Sequence, residues 1–161
     1  MRALRIAAML VSVLALSGPA MASPQHEGWS HASHDDTPMP VPAVRWKTDA
    51  TLRDGMGRIH QALDELRHAE MGHMSEAMAR DRAGLIEDAG VYLFAHCQLE
   101  PRQDAVLHQM LVPLLAAARK FKEDPQDVGE VAAMRQAVTN YPRYFDDPAW
   151  KADAASSRGK H

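Results

Sequence analysis

The stretch His96-Cys97-Gln98-Leu99-Glu100-Pro101-Arg102-Gln103-Asp104-Ala105-Val106-Leu107-His108 decides the fold. Its first residues close an apolar run of helical period. Its middle has no period at all. Pro101 suits the first turn of a new helix, where a missing backbone N–H costs nothing. Two helices joined by so short a corner must lie side by side, running in opposite directions.

Working backward, Ser75 is a good N-cap for the helix that runs through Leu85, Ile86, Ala89, Tyr92, Leu93 and His96 to Cys97. Working forward, Val106, Leu107, Met110, Leu111, Leu114, Leu115, Ala118 and Phe121 give the next helix a broad apolar face. Pro113 lies inside it and predicts a kink. Asp124-Pro125 reads as the cap and first residue of a last helix, with Val128, Val131, Met134, Val138 and Tyr141 as its stripe and Pro142 as its stop. Phe145 and Trp150 are apolar anchors expected to fold back onto the helices. Upstream, a first helix starts near Asp49 to Thr51. Its stripe is Leu52, Met56, Ile59, Leu63 and Leu66, and Gly72 marks its end.

No segment alternates with period two, so no sheet is expected. The fold class is all-α: an antiparallel up-down-up-down four-helix bundle over residues 48–150 with a disordered, His-containing N-terminal segment. Residues 1–22 read as a signal peptide. Arg2 and Arg5 are its charged region, Ile6 to Leu16 its apolar run, and Ala20-Met21-Ala22 its cleavage site. Residues 23–47 form a flexible linker with Pro24, Pro38, Pro40 and Pro42, and residues 151–161 a frayed tail. The expected location is the periplasm, with no membrane insertion after cleavage.

The formal net charge is −3. With no clustered basic face, nucleic acid is not an expected partner. One cysteine cannot form an internal disulfide, so Cys97 is a free thiol, a metal ligand or half of a bridge between two copies. Ten Met and nine His join it in a soft ligand set that favours copper(I), zinc or haem iron over calcium or magnesium.

The topology groups these residues. The first helix starts at the end of the bundle where the second finishes, the third starts and the fourth finishes. Met56 and His60 are one turn apart on the first helix. His96 and Cys97 close the second. Asp104 and His108, also one turn apart, open the third. At 1.5 Å per residue, His60 and His108 both stand roughly 10–14 Å from the corner and can share a layer. Asp104 can orient His108 by accepting from one ring nitrogen. Each residue also has a plainer reading: Met56 as core, His60 as a boundary residue, Cys97 as a small buried hydrophobe, Asp104–His108 as a surface pair. His68, Met71, His73, Met74 and Met78 cluster at the opposite end, either as copper ligands or as flexible filling of an irregular turn. In the linker, His26, His31 and His34 can chelate a metal weakly.

Three segments carry a resemblance: Trp46-Lys47-Thr48-Asp49 through Gly55-Met56; Cys97-x-Leu99-x-Pro101-x-x-Asp104-Ala105-x-Leu107-His108; and Tyr144-Phe145-Asp146-Asp147-Pro148-Ala149-Trp150. Together they resemble an uncharacterised family of small exported Gram-negative helical proteins, which implies no firm biochemical activity. Leu52-Arg53-Asp54-Gly55-Met56 is also similar to the start of cytochrome b562-type bundles. That likeness implies haem b on Met56, with His108 or His60 in place of the histidine that the last helix here lacks. Covalent haem is excluded because Cys-x-x-Cys-His is absent.

The primary expectation is a periplasmic metal-binding bundle, copper first and zinc second, acting as buffer, carrier or sensor. Its candidate ligands are Met56, His60, Cys97, Asp104, His108, His96 and His73. The alternatives are a small b-type haem electron-transfer protein on Met56 and His108, and a ligand-free module that docks on another envelope protein. A homodimer bridged through Cys97 stays open. No enzyme is expected: Ser-His-Asp, P-loop and dinucleotide patterns are all missing.

Overall fold

The structure is a computed structural model that describes residues 39–150. The expected signal peptide, most of the expected linker with His26, His31 and His34, and residues 151–161 lie outside the described residues.

The described chain is mostly helical. β1 (Trp46–Lys47) precedes α1 (Ala50–Glu65), the one-turn α2 (Arg67–Glu70), α3 (Glu76–His96), α4 (Pro101–Glu123), α5 (Gly129–Val138), the one-turn α6 (Tyr141–Tyr144) and β2 (Phe145–Asp146). α1 packs on α3, α3 on α4, α4 on α5, and α5 touches α1. No described helix is long and apolar enough to cross a membrane.

Local chemistry sets the helix ends. Asp49 is extended, and its Oδ1 accepts from the Leu52 N–H at 2.7 Å, which starts α1. Ser75 does the same for α3, accepting from the Met78 N–H at 3.3 Å. Met74, just before that cap, packs on the core, and Ala79, one turn into α3, is buried, the two positions of a hydrophobic staple. Between the two caps, Gly72 takes φ +70°. The His73 N–H donates to the His68 carbonyl at 2.8 Å and the Gly72 N–H to the Ala69 carbonyl at 2.9 Å. That pair of bonds across a left-handed glycine is the Schellman arrangement, and it satisfies carbonyls that the end of α2 would leave bare.

The core follows the expected stripes except at a few positions, among them Val128, which is 41% exposed just before α5. Leu52, Met56, Ile59 and Leu66 of the first stripe are all fully buried. On α3 the buried face is Ala79, Ala83, Ile86, Ala89 and Leu93, while Leu85 stands 45% exposed. Small residues there let the neighbouring helices approach closely. A Cβ on Gly90 would lie 2.7 Å from Leu115 of α4, and one on Gly55 of α1 would lie 2.4 Å from Leu93. α4 remains one helix through Pro113, on its exposed side.

Three expectations at the C-terminal end need correction. Asp124-Pro125 does not open a helix. Asp124 Oδ1 instead accepts from the Gln126 N–H at 3.1 Å, Asp127 Oδ1 accepts from the Gly129 N–H at 3.1 Å, and α5 begins only at Gly129. Two short Asp side chains compete with helix formation by offering the backbone a turn. Pro142 does not end the last long helix, which stops at Val138; it sits in the first turn of α6, where proline is tolerated. Finally, a short sheet exists. Trp46 pairs with Phe145 and Lys47 with Asp146 in a parallel two-residue ladder. Two residues are too few to display a period, so no alternation in the sequence could announce it.

Candidate functional site at the corner end

The ladder joins the chain entering α1 to the chain leaving α6, and aromatic rings close over it. Trp46 stacks on Tyr144 (centroids 6.0 Å) and meets Phe145 edge-on at 5.4 Å. Phe145 stacks on Tyr141 at 5.0 Å, and Tyr141 meets Trp150 at 4.8 Å. Such offset and edge contacts add about 0.5–1.5 kcal/mol per pair beyond area burial. Phe145 and Trp150 are buried, as expected of anchors.

A polar group lies inside this aromatic wall. Asp147 is 2% exposed. Its Oδ2 accepts from the Tyr141 hydroxyl at 3.1 Å and its Oδ1 from the Ala149 N–H at 3.0 Å. Burial and the Asp147 charge push the Tyr141 hydroxyl far above the ordinary phenol range, so it stays a donor. Thr48 Oγ1 donates to the Asp146 carbonyl at 3.2 Å, and Arg53 donates to the Thr48 carbonyl. The first helix is thereby tied to the C-terminal segment by polar as well as apolar contacts.

Cys97 faces the same region. It caps α3, donating its N–H to the Leu93 carbonyl, and is half-buried with a free thiol. Burial pushes the thiol up to about 11, and the Asp49 and Asp104 carboxylates add to the shift. At neutral pH it is therefore a protonated thiol, a poor nucleophile.

The other expected ligands separate. Met56 is fully buried in the core. His60 sets its ring edge-on to Trp150 at 4.7 Å. His96 tilts against Tyr92 at 4.9 Å on the exposed side of α3. His108 also lies at the surface, 4.7 Å from the Phe94 ring. Its Nδ1 is 3.0 Å from the Asp104 carbonyl and 3.4 Å from the Asp104 carboxylate, so the expected orienting pair forms. His73 is exposed in the turn after α2, at the far end. Among the described residues, no three His, Cys, Asp or Glu side chains stand grouped as a metal ion would require. For haem, Met56 is sealed among apolar side chains while His108 is on the surface, so an iron bridging them would have to open the core.

Sequence reasoning missed Thr48, Arg53 and Asp147. The available signal was Asp146-Asp147-Pro148 set between Phe145 and Trp150: an acid flanked by apolar anchors is carried inward with them and must find partners there.

No family model matches the chain, and neither a curated protein nor a solved structure is found similar to it.

Proposed function

We propose that this chain is an exported, periplasmic up-down-up-down helical bundle that binds a soft metal ion, copper first and zinc second, as a buffer, carrier or sensor. The observation that supports this reading is the setting of Cys97. The Asp49 and Asp104 charges that keep its proton on are the same charges that attract a cation. A bound ion replaces that proton, so binding releases it and strengthens as pH rises. Asp104, one of those two charges, also engages the His108 Nδ1, which leaves the other ring nitrogen of that imidazole turned toward a cation.

The test is anaerobic copper(I) and zinc titration of the untagged mature protein against a chromophoric chelator. Cys97→Ser and His108→Ala should each weaken binding by about tenfold or more, on the order of 1.4 kcal/mol, with the helical signal intact. Unchanged affinity in both variants would refute the corner as a metal site.

A second reading, an envelope interaction module with a purely structural corner, is favoured by one feature. Val91, Phe94 and Val112 are 63, 42 and 52% exposed on α3 and α4. Exposed apolar side chains that form one contiguous patch mark a docking surface. Haem b is the remaining alternative, and haem addition would give a Soret band lost in Met56→Ala.

A further inference from the structure

The far end of the helices carries a second soft-ligand cluster that the corner does not use. Seven methionines fall among the described residues: Met39, Met56, Met71, Met74, Met78, Met110 and Met134. Only Met71 and Met78 are exposed, at 55 and 51%; Met71 lies in the α2–α3 turn and Met78 on the first turn of α3. An exposed thioether gains little from packing, the usual reason for methionine. The turn also exposes two imidazoles, His68 and His73.

The backbone holds these groups in a defined arrangement. The 2.8 Å bond from the His73 N–H to the His68 carbonyl makes them the two Schellman positions whose side chains commonly meet across such a turn. Met71 lies between them in sequence, and Met78 sits on the first turn of α3. The turn is also anchored from below. Arg135 of α5 donates to both oxygens of Glu70 at 2.6 Å and to the Leu63 carbonyl at 3.0 Å. One guanidinium nitrogen thus reaches the Glu70 carboxylate and the other a backbone carbonyl of α1, so a charge-assisted contact ties the end of α2 to two other elements. Ligands on such a platform lose less entropy on binding than ligands on a free loop.

We propose that the α2–α3 turn is a copper(I) site, with the His68 and His73 imidazoles and the Met71 thioether as ligands and Met78 beside them. Imidazole with thioether is a soft neutral set that selects copper(I) and leaves zinc and hard cations weakly held. Its exposure suits an ion that is picked up from solution or passed to a partner. This inference rests on the metal-binding reading but places the exchangeable ion at the end opposite Cys97.

The experiment titrates copper(I) into the full mature chain carrying Cys97→Ser together with His26→Ala, His31→Ala and His34→Ala, which removes the corner thiol and the linker imidazoles. This background should keep one bound equivalent. Adding His68→Ala and His73→Ala should abolish it with the helical signal unchanged, and Met71→Leu should weaken it by about tenfold through loss of the sulfur alone. X-ray absorption of the background protein should show nitrogen and sulfur neighbours. If the background loses all copper while the unmodified chain binds it, the turn is refuted, and the ion belongs to the corner thiol or the linker imidazoles. If the background binds and the two histidine changes alter nothing, the turn is likewise refuted. If the unmodified chain ignores copper(I), the turn is refuted, and the metal-binding reading falls with it if zinc is ignored too.

Discussion

The two ends of this molecule spend their polar residues in opposite ways. At the corner end, Asp147 and Tyr141 are buried against each other behind four further aromatic rings, and Thr48 and Arg53 lace α1 to β2. At the turn end, His68, Met71, His73 and Met78 stand in solvent on a backbone fixed by Gly72 and Arg135. The corner's side chains are therefore committed to one another, and changing one costs stability. The turn's side chains are held in place without being used for packing, so changing them leaves stability alone and alters what the surface can bind. Location of a soft ligand in the sequence says little about its availability; whether its neighbours consume it says much more.

The largest expected break in this contrast is Phe145→Ala. Phe145 is fully buried, stacked on Tyr141 and met edge-on by Trp46, so its loss opens a cavity and frees the ladder. Urea unfolding should show a loss of about 3–5 kcal/mol. Met71→Ala at the turn should stay within about 0.5 kcal/mol, as surface changes do. Equal losses would mean that the turn is packed and the contrast is false.

Much of this architecture was legible in the sequence. Asp49 and Ser75 cap where their side-chain oxygens predict, Pro101 opens α4, and Leu52, Met56, Ile59 and Leu66 face inward. These are local signals, carried by one residue and its neighbours three or four positions away. What escaped was non-local or too short to have a period. The ladder pairs residues almost a hundred positions apart and has two rungs. The late start of α5 reflects competition between Asp124 and Asp127 turns and a helix cap, which propensity alone does not rank. The shared layer of His60 and His108, and with it the grouping with Met56 and Cys97, followed from axial position alone. Height along a helix does not fix direction around it, and direction sends Met56 into the core and His108 to the surface.

A smaller effect sharpens the comparison by showing where the two ends are alike. Asp49 and Ser75 each satisfy one N–H of a long helix. Asp49→Ala and Ser75→Ala should each cost about 1 kcal/mol, since the lost bond is of the same kind. Only the first should also bring the Cys97 thiol down toward its ordinary value, because the Asp49 charge helps to raise it. Alkylation rate against pH reads that shift, and an unmoved profile would show that burial and Asp104 set the thiol without Asp49.

The smallest expected effect is in the pH dependence of stability. The Cys97 thiol titrates near 9.0 when unfolded and is pushed up to about 11 in the fold. Below the lower value both states hold the proton, and the thiol adds no slope. Between the two values the unfolded chain has released its proton while the folded chain keeps it, so rising pH favours unfolding. The stabilisation present below pH 9.0 is thus lost as pH climbs through about 11. Cys97 is half-exposed, which keeps the slope shallow. Unfolding midpoints measured across this window should fall less steeply in Cys97→Ser than in the parent chain. Identical curves would mean that solvent reaches the thiol freely, and that the corner holds Cys97 no more tightly than the turn holds its methionines.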